Sequence, residues 1–277
     1  MINKSSLKYI SENRKILLQA ESYVYLLPCE QLREVISNFT VTFPDKSTIS
    51  DDYTIMPHGS VTLVLFHYRR ELHSFLFGPA TKPVKVGDIA NKCDMIVIIE
   101  FQPAGFSPFS KINQKDLTDK IVPFSFTHPS LDAAVRNIIV SSLSIDELLF
   151  EMEKELMLNI EFPYPKELAL AVKSIIKTAG IITTAEISKS SFYCSRHLNR
   201  LFNLYLGMSI KSFSRLVRIN KSIQLLNKGT GTLDSISEKL GYYDVSHFVK
   251  DFKIICGVTP QEYKIHMSDY YSEIAKF

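Results

Sequence analysis

The last third of the chain carries one motif twice, and a chain with that repeat has few folds open to it. Displacing the sequence by 50 residues sets Arg196-His197-Leu198-Asn199-Arg200-Leu201-Phe202 over Ser246-His247-Phe248-Val249-Lys250-Asp251-Phe252, and Gly207-Met208-Ser209 over Gly257-Val258-Thr259. Apolar residues recur three and four apart in both copies: Leu198, Leu201 and Phe202 in the first, Phe248, Phe252 and Ile255 in the second. Ahead of the second copy, Ser237 is small where two helices would cross, and Gly241 suits a turn with φ > 0. Asp244 is the expected N-cap of the next helix. Gly257 ends that helix, and Thr259-Pro260 opens another as cap and first helical residue. Each copy therefore predicts a helix-turn-helix. In the first, Phe192 stands where the turn glycine is expected, with Tyr193 and Cys194 beside it, so the geometry of that turn stays open while the helix after it does not.

Gly241-Tyr242, Asp244, Phe248, Lys250, Phe252, Gly257, Thr259-Pro260 and Tyr263 together resemble the second helix-turn-helix of AraC/XylS-type transcription regulators. Ser237 departs from the alanine usual in that family. The resemblance implies a sequence-specific DNA-binding regulator of transcription, an activator or a repressor, whose partners are double-stranded DNA and, as the family admits, RNA polymerase, a small-molecule effector and a second copy of the chain.

The outward positions of both copies fit that implication. Ser195, Arg196, His197, Asn199 and Arg200 point away from the first apolar stripe, and Val245, Ser246, His247, Lys250 and Lys253 flank or oppose the second. Arginine can donate two hydrogen bonds to guanine and asparagine can do the same for adenine. Arg196 and Asn199 are thus the expected base readers, with Arg200 and Lys250 on phosphates. Between the copies, Phe213, Leu216, Val217, Ile223 and Leu226 predict a helix from Ser209 to about Lys228, its apolar stripe interrupted by Asn220. Such a helix is roughly 30 Å long, close to the ~34 Å of one DNA turn. Lys211, Arg215, Arg218 and Lys221 lie on it, as solvated charge or phosphate contacts.

Charge is distributed to match. Residues 1–165 hold 16 basic and 20 acidic side chains, a net −4, and residues 166–277 hold 16 and 9, a net +7. Phosphate contacts need such an excess, which a solvated surface can also produce. The expected organisation is two domains. An N-terminal all-β cupin-like barrel or sandwich with following helices spans 1–162, and an all-α domain spans 163–277, its first helix-turn-helix at about 183–206, its linker helix at about 209–228 and its second helix-turn-helix at about 233–256. Pro163 and Pro165 mark the boundary.

The N-terminal strands are expected at Val61 to Phe66, His73 to Phe77 and Asp94 to Phe101, bounded by Pro57, Gly59, Gly78-Pro79, Gly87 and Pro103. Their nearly continuous apolar runs suit strands buried on both faces or lining an interior. Met56-Pro57-His58-Gly59 and Gln102-Pro103-Ala104-Gly105-Phe106 are similar to turns of the cupin-like sensor domain found in one branch of the same family. After Pro129 the period becomes helical: Leu131, Val135, Ile138 and Ile139, then Ile145, Leu148, Leu149, Met152 and Leu156, form inner stripes, with Glu147, Glu151, Glu153, Lys154 and Glu155 largely outside. The second of these helices either pairs with another subunit or covers the sheet.

An enzyme or a protein-interaction module are the competing classes. His58, His67 and His73 offer no His-x-His pair of the kind a metal-binding cupin uses, so no metal, cofactor or catalytic residue is expected. Tyr68 with Arg69 and Arg70 is either an anion site or a solvated strand end. Cys29, Cys93, Cys194 and Cys256 are scattered, which fits a reducing cytoplasm. No apolar run is long enough to predict a membrane span or secretory signal.

Overall fold

The computed structural model describes residues 2–164, 166–229 and 231–271, so Pro165 lies outside the described residues. Its strands are β1 (Ile16–Gln19), β2 (Tyr23–Leu26), β3 (Ile36–Thr42), β4 (Thr54–Ile55), β5 (Thr62–Tyr68), β6 (Glu71–Phe77), β7 (Val84–Lys85), β8 (Met95–Phe101), β9 (Ile121–Pro123) and β10 (Tyr270–Tyr271). Seven of them form an antiparallel sheet in the order β1-β2-β3-β8-β5-β6-β9, and three form a second sheet in the order β10-β4-β7. The larger sheet is open, with β1 and β9 at its edges. Of the two β architectures expected, the chain takes the sandwich-like one.

Side-chain alternation explains the continuous apolar runs. Leu63 pairs with Ile99 and Leu65 with Val97, and these face one side of the large sheet, where they join a buried core. Val64 pairs with Ile98 and Phe66 with Ile96, and these line a cavity on the other side. Both faces of the sheet are therefore apolar. Arg69 and Arg70 form the two-residue turn between β5 and β6 at φ 51° and 68°, exposed to solvent, with the Arg69 guanidinium 5.1 Å from the Tyr68 ring centre. They are a solvated strand end.

Short helices α1 (Gly87–Ala90), α2 (Gln114–Leu117) and α3 (Phe124–Thr127) precede α4 (Pro129–Ser141) and α5 (Ile145–Leu158). The apolar stripes of α4 and α5 share the core of the large sheet. Glu153, expected outside the stripe of α5, is instead buried, because Arg14 lies 2.7 Å from one carboxylate oxygen and the Cys29 N–H donates to the other at 2.6 Å. The helix covers the sheet and still exposes Phe150 and Leu158 on its outer face.

The remaining helices are α6 (Lys166–Lys177), α7 (Thr184–Ser191), α8 (Ser195–Leu206), α9 (Ile210–Asn227), α10 (Leu233–Lys239), α11 (Val245–Cys256) and α12 (Pro260–Ile265). They build a second hydrophobic core from Leu168 to Tyr263, which also takes in Met56 and Ala104 from the β-rich part. Among the described residues no helix is long and apolar enough to cross a membrane.

Candidate nucleic-acid interface and the cavity beside it

Two helix-turn-helix units, α7–α8 and α10–α11, flank the 18-residue α9. Thr183 starts α7 with a capping box, donating its N–H to Glu186 at 2.8 Å and accepting the Glu186 N–H at 3.2 Å; Thr259 and Glu262 repeat the device at α12. Bonding to the threonine N–H holds the carboxyls of both Glu186 and Glu262 below the usual range. That support is present at neutral pH and is lost as pH falls through these lowered values. Asp244 caps α11 through the His247 N–H at 2.7 Å, and Ser237 is buried where α10 packs.

The first turn resolves plainly. Phe192 closes α7 at φ 60°, ψ 19°, the left-handed conformation that Gly241 holds at φ 68° in the second copy. A side chain there costs about 1–2 kcal/mol, and Phe192 recovers nothing by burial because it is 95% exposed. We expect Phe192→Gly to stabilise the protein by about 1 kcal/mol in urea denaturation, after the greater flexibility of glycine in the unfolded chain is counted. A loss of stability would mean that the turn is not left-handed.

On α8, Arg196, Arg200 and Asn203 stand exposed at spacings of four and three; on α11, Ser246, Lys250 and Lys253 occupy the same three places 50 residues later, with His247 exposed beside them. Val245 is half-buried. Ser195 and His197 face partly inward, with Ser195 Oγ 2.8 Å from Ser188 Oγ and the His197 ring stacked on Tyr193 at 5.1 Å.

Asn199, the other expected base reader, is half-buried and bonded within the protein. Its amide donates to the Ser195 carbonyl at 3.1 Å, and its Oδ1 accepts the Ile210 N–H at 3.1 Å, so the side chain fastens the start of α9 to α8. Arg215 and Arg218 are likewise struts. Arg215 Nε donates to Asp251 Oδ1 at 2.6 Å, Tyr242 donates to the other oxygen of Asp251 at 3.1 Å, and the Arg218 guanidinium lies 5.3 Å from the Tyr242 ring centre while bonding the Gly180 carbonyl at 2.6 Å. Burial, with Asp251 next to it, raises the Tyr242 phenol. These contacts hold α11 against α9. Asp251, an acid inside an otherwise basic helix, is the signal for this network that the sequence offers.

The β-rich part meets this assembly through the two turns that resemble the cupin-like family. The Pro57 carbonyl accepts from Asn220 Nδ2 at 2.8 Å, Gly59 packs against Leu216 and Met208, and the Tyr164 hydroxyl donates to the Pro103 carbonyl at 2.7 Å. Asn220, the polar break in the stripe of α9, is therefore one tie between the two parts. Thr118 donates to the Gly207 carbonyl at 3.3 Å, at the end of α8.

Beside this joint lies a cavity of about 910 Å³, lined by both sheets and by Met267 and Ser268, which follow α12. His58 lines it from within the joint, 4% exposed, its Nδ1 3.1 Å from Ser60 Oγ. Cys93, also in the wall, is pushed up to about 11 by burial and by Asp94. His67 is on β5 and His73 on β6, where His73 lies 3.8 Å from Glu71. Among the described residues no three histidine, cysteine or acidic side chains are grouped to hold a metal ion.

Two family models match separate stretches of the chain. Residues 187–265 match a helix-turn-helix domain family, and residues 25–123 match a domain family of unknown function. The chain is 28% identical over 142 residues to the lactose operon transcription activator of Staphylococcus xylosus, covering 47% of this chain and 51% of that protein. It is 35% identical over 75 residues to the F1 operon positive regulatory protein of Yersinia pestis, covering 27% of this chain and 25% of that one. It thus spans about half the length of the first relative and a quarter of the second. ToxT of Vibrio cholerae aligns over 82% of this chain and 98% of its own at 12% identity, with a TM-score of 0.46. The repeated motif, its two turns and the family match agree: the C-terminal part of this chain is a helix-turn-helix domain of the AraC type.

Proposed function

We propose that the protein is a sequence-specific DNA-binding regulator of transcription that lays α8 and α11 in successive major grooves on one face of a duplex, under the control of a small molecule bound in the cavity. The observation that carries this reading is the doubled exposed face, Arg196 and Arg200 on one helix and Ser246, Lys250 and Lys253 on the other, mounted at the two ends of a helix about 27 Å long. Arg196 reads a base edge, Arg200 and Lys250 hold phosphates, and Ser195, His197, Val245, Ser246, His247 and Lys253 complete the contact surface. Asn199 acts by positioning α8 on α9. RNA polymerase is the further partner of a regulator of this kind, and a second copy can pair through the outer face of α5.

The similarity to two operon regulators supports this reading over an enzyme. Selection of bound sites from random duplex DNA tests it. The expected product has two short conserved segments about 10 base pairs apart, bound with an affinity that falls steeply as salt rises. Folded protein that retards no duplex at low salt would sink the proposal.

A further inference from the structure

Beyond the large cavity, the sheet has a notch where β9 ends. That strand pairs with β6 from Phe75 to Phe77, and Pro123, set opposite Phe75, is its last residue. Glu71, Leu72, His73 and Ser74 continue β6 with no strand beside them on that edge. The chain turns instead into α3 and α4, both of which touch β6, and leaves a cleft of about 410 Å³ against the uncovered edge.

Two opposite charges share this cleft without meeting. Asp132 and Arg136 are four apart on α4, a spacing at which an acid and a base ordinarily pair. Among the described residues neither forms an ion pair. Ser74 stands between them: its hydroxyl donates to Asp132 Oδ1, and Arg136 Nη1 donates to it at 3.4 Å. Asp132 is 8% exposed, and no donor among the described residues is bonded to its Oδ2. Arg136 is half-buried, and the one long bond leaves most of its five N–H donors without a protein partner. The other titratable side chains of the cleft are Glu71, which is exposed, and His73, which is half-buried 3.8 Å from Glu71 with its ring stacked on Phe66 at 5.2 Å. A lone anion brought here would add negative charge beside Asp132 and Glu71, and a lone cation would add positive charge beside Arg136. A ligand that carries both charges meets each with its opposite.

We propose that the cleft binds a free α-amino acid, its carboxylate on Arg136 and its ammonium on Asp132 Oδ2. The arginine fork suits a carboxylate, which it holds by two parallel hydrogen bonds. An α-amino acid carries its two charges on one carbon, which matches two partners one helical turn apart. Its side chain then lies along Leu72 and Pro123, the apolar part of the lining, in a cleft at the small end of the range for ligand sites.

The test uses the full chain. A thermal-shift screen of the standard protein amino acids is expected to find at least one that stabilises it, and calorimetry then compares that compound with its amide and its N-acetyl derivative. Each derivative lacks one of the two charges and is expected to bind about tenfold or more weakly. Arg136→Gln should bring the amino acid and its amide to within about threefold of each other, and Asp132→Asn should do the same for the amino acid and its N-acetyl derivative. The unfolding midpoint of each variant certifies its fold; if Asp132→Asn does not fold, Arg136→Gln decides alone, since its side chain is half-buried and holds one long bond. Failure of every amino acid to bind, a derivative that binds as tightly as its parent, or a preference that survives Arg136→Gln each overturns the proposal.

Discussion

Replacing Arg196 and Arg200 together with alanine will lower affinity for the selected DNA site by about 10²–10³-fold while leaving the unfolding midpoint where it was. Both side chains are exposed on one face of α8, and neither makes a hydrogen bond or ion pair within the described residues, so nothing in the fold depends on them. The two losses should differ in kind. Arg196→Ala alone relaxes base preference at one position and costs about 1–3 kcal/mol, whereas Arg200→Ala weakens all sequences alike and reduces the salt slope by about one. Asn199→Ala is the contrasting variant. Because its amide caps α9, it costs about 1 kcal/mol of stability, and any change in DNA binding comes through the angle between α8 and α9. Should the double arginine variant bind as tightly as the parent, α8 would not be lying in the groove.

The periodicity of the second half made its helices legible, because a helix-turn-helix is local: cap, stripe, turn and stop lie within about one helix length of one another. Phe192 marks the limit of that reading. Sequence identifies the place of the turn, but only coordinates show that a phenylalanine has adopted the glycine conformation. Three residues have partners that no local pattern shows. Asn199, Arg215 and Arg218 carry polar groups suited to DNA, yet their partners Ile210, Asp251 and Gly180 lie 11, 36 and 38 residues away and satisfy those groups inside the protein. Helical spacing says which face a residue occupies and nothing about what packs against it. In the β-rich part, nearly continuous apolar runs suited strands buried on both faces or lining an interior, and the central strands put a core on one face and a cavity on the other. The cavity lining from Met267 and Ser268 depends on contacts between segments far apart in the chain, which no local pattern encodes.

The joint between the two parts sets the last expected result. Pro57, His58 and Gly59 are consecutive: the first bonds Asn220 on the linker helix, the second lines the cavity, and the third packs on Leu216 of that same helix. A ligand that displaces His58 therefore moves backbone already attached to α9, the element that fixes the separation of α8 and α11. Gly59 has φ +66°, and a Cβ placed on it would stand 2.6 Å from Leu216 Cδ2. Alanine would meet mainly the movable end of Leu216. Valine adds a branched side chain in a left-handed conformation to an overfilled contact, and we expect Gly59→Val to cost about 3–5 kcal/mol, read as a lowered urea midpoint. Gly59 touches Leu216 and Met208 of the α6–α12 core, but Arg196, Arg200, Lys250 and Lys253 stand exposed on α8 and α11, so DNA affinity of the folded variant should stay within about threefold of the parent, well under the 1.4 kcal/mol that a tenfold change represents. Its response to a cavity ligand should disappear, because the loop no longer seats on α9. A variant as stable as the parent would show that the left-handed turn is dispensable, and a stable or unstable variant that keeps the full ligand response would place the route from cavity to DNA elsewhere.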